Sequence, residues 1–252
     1  MPSISVIIPT FNEAAHIRQA LQSVEWADEL IIVDSYSTDN TLEIARQFPV
    51  RILQNTYKGP ADQKNWAIPQ ATHSWVLLLD ADERVTPQLA DEIRHTLKEP
   101  NPKDAYWIPR TNFFLGKRIR YSGWQNDKVI RLIRRDRCRY NNRQVHEEIE
   151  TKGITVGQLQ QPFQHFTCNE LTPYLQKIRR YGQWSALDHQ SKTPKVGYFH
   201  LLFKPLFRFC KHYFWQLGIL DGRHGLIISF LMAWGVFLRY AYLQELQWKN
   251  KQ

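Results

Sequence analysis

The chain has 252 residues, 43% hydrophobic and 23% charged, with 33 Lys plus Arg against 24 Asp plus Glu and a formal net charge of +9. That composition excludes a disordered, collagen-like or low-complexity chain, and the length suits one α/β domain with a large appendage or two small domains. Residues 1–109 carry 9 basic and 15 acidic side chains, 110–143 carry 11 and 2, 144–194 carry 5 and 5, and 195–252 carry 8 and 2, a pattern that argues against a uniform nucleic-acid coat and for two local anionic partners.

The first 80 residues alternate short apolar runs with helical periodicity. Ile4 to Ile8 predicts a buried strand; Ala14, Ile17, Leu21 and Val24 recur at helical spacing behind the capping candidate Asn12; Leu30 to Val33 predicts a second strand. Asp39 can cap a helix through Phe48, Val50 to Leu53 returns as strand, residues 61–71 read as helix, and Trp75 to Leu79 as a fourth strand. Such a βαβ succession gives a parallel sheet with right-handed crossovers. Strands as apolar as VLLL need cover on both faces, and ligands of such sheets bind beyond the strands' carboxyl ends. Thr10, Asn12 and Glu13, then Asp34 and Ser35, then Asp80 and Asp82 stand at those ends.

Thr86-Pro87 offers an N-cap and first-turn proline for a helix through Leu97. Residues 105–143 read as Arg-rich strands and loops, and a further helix opens at Thr172-Pro173 and runs towards His189. Cys138, Cys168 and Cys210 show no paired spacing, which fits a reducing compartment rather than a disulfide framework or zinc knuckle. The N-terminal MPSISVIIPT runs directly into a strand pattern with no basic leader or cleavage site.

Asp80-Ala81-Asp82 closes the apolar run WVLLLD. Carboxylates at i and i+2 on a turn leaving a sheet can hold one divalent ion and leave positions open for diphosphate oxygens, which favours Mg²⁺ or Mn²⁺. Asp34, in IIVDSYSTDNT, can accept hydrogen bonds from a base N–H or from sugar hydroxyls.

SVIIPTFNE, IIVDSYSTDNT, the KNWAIPQA helix and WVLLLDADE, in this order and spacing, resemble the nucleotide-sugar-binding half of family 2 glycosyltransferases with a GT-A fold. GWQNDKVIRLIRR and RQVHEEI are similar to the acceptor-side half of the subgroup that includes lipopolysaccharide core glycosyltransferases, so the resemblance extends to about residue 190. It implies an α/β, Rossmann-like, mostly parallel sheet flanked by helices over residues 1–194. Residues 1–100 would be the nucleotide-sugar half and 101–194 the acceptor half, with a helical, basic and aromatic appendage at 195–252.

On this resemblance Pro9, Thr10 and Glu13 match the element lying against the nucleotide, Asp34 the aspartate that contacts uracil, and Asp80 and Asp82 the metal-binding pair. Lys64 and Asn65 fall where Arg-Asn is common near the nucleotide and are donor-binding candidates, with lysine supplying a point charge rather than a bidentate contact. Transfer to an alcohol needs a base for the acceptor proton, and a carboxylate serves. Glu147 matches the family's His-Glu position and is the first candidate, with Glu148 next; His146 can aid the metal or diphosphate. Lys128 and Arg131 are candidates for the departing diphosphate or the acceptor, and Trp124 for stacking on a sugar.

From Gly225 to Leu238 the chain has 14 residues without a charge, short of the ~20 that span a bilayer. Lys204, Arg208 and Lys211 form one helical stripe beside Phe203, Phe207, Phe214 and Leu217. This reads as a helix lying in the plane of an anionic membrane, or as an appendage packed on the core with its lysines reaching outward. The expected activity is inverting, metal-dependent transfer of a hexose, glucose first, from a UDP-sugar to a lipid-linked glycan such as lipopolysaccharide core, on the cytoplasmic face of the inner membrane. A sugar nucleotidyltransferase would carry a Gly-rich phosphate loop, which PTFNEA lacks, and a nucleic-acid-binding protein would leave Asp34, Asp80 and Asp82 unexplained.

Overall fold

The computed structural model describes residues 2–141 and 148–250. In chain order they form β1 (Ile4–Thr10), α1 (Ile17–Gln22), β2 (Glu29–Asp34), α2 (Thr41–Ala45), β3 (Arg51–Gln54), α3 (Pro60–Ala67), β4 (Trp75–Leu78), β5 (Glu83–Arg84), α4 (Pro87–Thr96), β6 (Ala105–Phe114), β7 (Lys117–Arg118), β8 (Lys128–Arg134), β9 (Val156–Gln158), β10 (Phe163–Cys168), α5 (Leu171–His189), α6 (Lys204–Cys210) and α7 (Arg223–Lys249). Two compact units result, one of residues 1–111 and 127–165, the other of 112–126 and 166–252. The residues expected to form a tail from 195 thus belong to a unit that also holds 112–126 and 166–194.

The strand order is β3-β2-β1-β4-β8-β6-β10-β5. β3, β2, β1 and β4 run parallel, whereas β8 is antiparallel to both β4 and β6. The parallel part is therefore the βαβ region of the sequence, and the Arg-rich segment supplies the antiparallel strands, giving a mixed GT-A-type sheet. Alternation along the strands divides the first unit's core. Ile4, Val6, Ile8, Leu30, Ile32 and Leu77 face one cluster with α1 and α4 residues such as Leu21, Leu89 and Ile93. Ile7, Ile31, Val33, Val76 and Leu78 face another, with Ala61 and Ala67 of α3. Cover on both faces explains why these strands read as unbroken apolar runs.

Local signals held unevenly. Thr86 caps α4 as expected, its Oγ1 accepting from Leu89 N at 3.1 Å. Asn12 does not cap α1: it sits at φ 57° and its Oδ1 accepts from Thr38 N at 2.8 Å, while α1 opens after His16. Asn tolerates the left-handed region, and here its side chain holds a neighbouring loop instead.

In the second unit Phe114, Ile119, Cys168, Tyr174, Ile178, Ile228 and Leu231 form one cluster and Ala186, Val196, Val236, Tyr240 and Leu243 another, joining α5 to α7. Gly225 permits the tight entry to α7, since a Cβ there would stand 1.8 Å from the Gly218 carbonyl oxygen. α7 has 27 residues and is long and apolar enough, by length and composition, to cross a membrane. The uncharged run at 225–238 is thus the N-terminal half of a longer helix. The stripe expected of Lys204, Arg208 and Lys211 does not form a basic outer face. Lys204 Nζ turns inward to Tyr240 OH at 2.9 Å, Arg208 is half-buried beside His212, and of the three only Lys211 is exposed.

Candidate active site

The carboxyl ends of β1, β2 and β4 lie along one edge of the first unit's sheet because these strands are parallel. Thr10 and Asp34 are register partners there, and Pro9 pairs with Val33. The Asp34 carboxylate is fully buried, at 0% exposure. It accepts from Thr10 Oγ1 at 3.2 Å, Ser37 Oγ at 2.5 Å, Ser37 N at 3.0 Å and Gln54 Nε2 at 3.3 Å. Any contact from Asp34 to a base therefore competes with four internal donors.

The loops after β1 and β2 are stitched together. Asn12 N donates to Ser37 Oγ at 2.9 Å, Glu13 N to Thr41 Oγ1 at 2.7 Å and Ala14 N to Asp39 Oδ2 at 3.1 Å. Asp39 also accepts from Thr41 N at 3.0 Å, but the residue at the cap of α2 is Asn40, which makes no side-chain cap, so Asp39 holds the loop before the helix rather than capping it. These bonds fix the PTFNEA loop without a glycine.

Asp80 lies at the centre of a charged cluster. Lys64 Nζ is 3.5 Å from Oδ1, and Arg131 Nη2 donates to Oδ2. Burial works against ionisation, but Arg131 and Lys64 outweigh both it and the neighbouring Asp82 charge, holding the carboxyl down at about 2. Arg131 is itself buried; burial disfavours its charge, yet Asp80, Tyr140 and Glu83 keep it well above its ordinary value. Fully buried Glu83 accepts from Asp80 N at 3.0 Å and pairs with Arg110 at 3.3 Å, and Arg110 is held bidentately by Asp127 at 2.8 and 3.0 Å. Asp82 stands 3.4 Å from His165 Nε2. Arg84 is buried, which pulls its guanidinium down to about 10 against the charges of Asp82 and Glu13. Acidic and basic groups alternate through this network, which offsets the burial of Asp80 and Arg131, whereas at Arg84 burial outweighs its neighbours.

Asn65 turns to the backbone of Tyr140: its Nδ2 donates to Tyr140 O at 2.9 Å and its Oδ1 accepts from Tyr140 N at 2.8 Å. Tyr140 accepts from Arg131 Nη1 at 2.9 Å through its hydroxyl, and its ring lies 5.2 Å from Lys64 Nζ. Tyr140 bridges to Ile149, and Asn141 N donates to Glu148 O at 2.9 Å. Glu148 is exposed beside that bridge, whereas His146 and Glu147 lie outside the described residues.

In the Arg-rich segment several cations are engaged within the unit. Arg110, Arg131, Arg135 and Arg137 form ion pairs with carboxylates of the same unit, at Asp127 and Glu83, Asp80, Asp136 and Asp104 respectively. Lys128 is exposed but engaged, with Nζ 3.1 Å from Gln158 Oε1 and over the Trp107 ring. Trp124 belongs to the second unit, where it meets Phe114 edge-on at 6.2 Å. Glu83, Arg110, Asp127, Tyr140 and His165 were not singled out by sequence. Only Glu83, adjoining Asp80-Ala81-Asp82, carried a local signal; the others arrive through β6, β8 and β10 pairing.

The donor chemistry fits a hard divalent ion in part. Asp80 is one-third exposed, at 33%, Asp82 at 22%, and the two are close enough for one charge to raise the other's pKa. Among the described residues no three His, Cys, Asp or Glu side chains gather as a complete metal site. Two carboxylates that leave coordination positions to a diphosphate match that set. A dianionic diphosphate with a dication adds no net charge to a network already balanced.

The sequence profile of glycosyl transferase family 2 matches residues 5–156. The lipopolysaccharide core biosynthesis glycosyltransferase LpsC of Rhizobium meliloti is 26% identical over 251 residues, covering 94% of this chain and 93% of that protein. The uncharacterized glycosyltransferase RT0209 of Rickettsia typhi is 29% identical, covering 100% and 90%. Among solved structures, S. aureus TarS 1-349 superimposes with a TM-score of 0.49 at 15% identity over 99% of this chain and 92% of that one.

Proposed function

The chain belongs to glycosyl transferase family 2, and on that premise we propose that it moves a hexose, glucose first, from a UDP-sugar to a lipid-linked glycan of the lipopolysaccharide core type, at the cytoplasmic face of the inner membrane. The observation that carries this reading is the Asp80–Asp82 turn at the carboxyl edge of a parallel sheet, flanked by Lys64 and Arg131. Asp80 and Asp82 would hold Mg²⁺ or Mn²⁺, which when bound neutralises the departing diphosphate. Lys64 and Arg131 fix the Asp80 carboxylate in its ionised form and add positive potential at that edge. Thr10, Pro9, Glu13 and Asp34 shape the donor side of the site.

The acceptor hydroxyl attacks the anomeric carbon as its proton passes to Glu147, or to neighbouring Glu148, and the bond to the diphosphate breaks with its electron pair leaving on UDP. One displacement inverts the anomeric centre. Asn65 acts through Tyr140, the anchored end of the segment that carries these carboxylates. His146 and Lys128 are proposed on the acceptor side.

The test is hydrolysis and transfer from a panel of UDP-sugars with Mn²⁺, using wild type and Glu147→Gln. The reading predicts that one UDP-hexose is consumed in preference and that transfer by the variant falls about 10²-fold or more. Turnover of none of them would sink it.

A further inference from the structure

We infer that the second unit docks on one membrane leaflet by inserting the exposed apolar face of residues 198–220 and of the first half of α7, and that α7 lies along the bilayer instead of crossing it. This deepens the proposed reading of a lipid-linked acceptor and rests on it for its purpose, though not for its chemistry.

The outward positions are large and apolar. Tyr198 is 84% exposed, Phe203 and Phe207 each 59%, Phe214 55%, Trp215 69% and Phe230 63%. Phe199, Phe203 and Phe207 recur every four residues, and Leu226, Phe230 and Trp234 do the same on α7, so each forms a stripe. Soluble monomers rarely leave such contiguous patches uncovered.

Charge identifies the occupant. Between Asp188 and Glu245 the sequence holds one acidic residue, Asp221, and it is buried, accepting from Arg120 N, Tyr121 N and Ser122 Oγ. Lys192, Lys195, Lys211 and Arg223 are exposed in the same stretch. An apolar face bordered by cations with no exposed carboxylate complements acyl chains beneath anionic headgroups. A second copy would oppose cation to cation with no anion between them.

α5 decides the orientation. It packs on α7 where Gly182 meets Leu238 and Gly235 meets Ile178. Its other side exposes Arg179, Arg180, Gln183 and Asp188. If α7 crossed the bilayer with its partner, those charges would enter hydrocarbon, which is expensive. With α7 lying flat, they stay in water. The turning inward of Lys204 and Arg208 makes the contact mainly apolar, so it should resist salt.

The experiment is flotation of the full chain with phosphatidylcholine vesicles and with vesicles containing phosphatidylglycerol, at low salt and at about 1 M. Expected is binding to the anionic vesicles that largely survives high salt, that falls about tenfold or more in Phe207→Glu and Phe214→Glu, and that falls less, by about fivefold at low salt, in Lys211→Ala. Quenching of wild-type tryptophan fluorescence by brominated acyl chains is expected too, and it needs no variant. For orientation, Arg223→Cys and Lys249→Cys, each in a Cys210→Ser background, should both resist impermeant maleimide in intact spheroplasts and react after lysis.

Loss of all binding in salt, absence of quenching, labelling of one end in intact spheroplasts, or a dimer that Phe207→Glu makes monomeric would each overturn the inference. UDP-sugar hydrolysis needs no membrane and should persist in these variants. Its absence from wild type would count against the catalytic reading and not against this one.

Discussion

Replacing Arg131 by Met keeps the length and apolar stem of the side chain while removing three interactions: the pair with Asp80, the hydrogen bond to Tyr140 OH and the approach to Glu83 at 3.8 Å. The Asp80 carboxyl, ordinarily at 3.8, is held at about 2, a preference for the ionised form of ~2.5 kcal/mol before solvent screening. With the side chain one-third exposed, ~1–2 kcal/mol of this remains, and Lys64 shares it. Loss of the charged donor to Tyr140 adds ~1.5–3 kcal/mol. A total near 3 kcal/mol at pH 7 is expected from urea unfolding of wild type and variant. The sign with pH follows from the depression: the Asp80 contribution is fully present above about 3.8 and is lost as pH falls through about 2. The gap between the two proteins should therefore narrow on acidification through that window. A gap under ~0.5 kcal/mol at pH 7 would refute the reasoning, as would one that stays constant between about pH 5 and pH 2.

Asn65→Ala frees both backbone groups of Tyr140 and should destabilise the first unit by ~1–3 kcal/mol, read by urea unfolding. It should also lower kcat more than it raises the KM for donor, because Asn65 acts through the Tyr140 segment. Asp221→Ala leaves the N–H groups of Arg120 and Tyr121 unpaired, and a loss of ~2–4 kcal/mol is expected, with faster hydrogen exchange at those two amides. Thr86→Ala should cost ~1 kcal/mol through the lost cap of α4, measured by thermal unfolding, with no effect on donor binding.

Much of the parallel half was legible because its physics is local. Strands buried on both faces leave unbroken apolar runs, and Thr86-Pro87 marks a helix start by side-chain chemistry alone. Asn12 misled because an Asn at positive φ and an Asn at an N-cap share one local signature, and only the neighbouring Ser37–Asp39 loop decides between them. The partners of the Arg-rich segment were hidden for a different reason. Net charge counted along 110–143 is blind to the carboxylates at Glu83, Asp80 and Asp104 that the antiparallel strands bring against it. The same holds for His165, which meets Asp82 only because β10 pairs with β5. In the second unit, helical spacing put Lys204, Arg208 and Lys211 on one stripe, but Lys204 and Arg208 turn inward and only Lys211 stays exposed, because one sequence cannot tell which side of that helix α7 will cover.

We propose that the Asp80–Asp82 turn binds a nucleoside diphosphate through a divalent ion. Titration calorimetry of UDP into wild type and Asp82→Ala, with and without Mn²⁺, tests it most directly. The account predicts binding by wild type that strengthens at least about tenfold with Mn²⁺ and a variant that gains nothing from the metal. Metal-independent binding of equal strength in both proteins would contradict it.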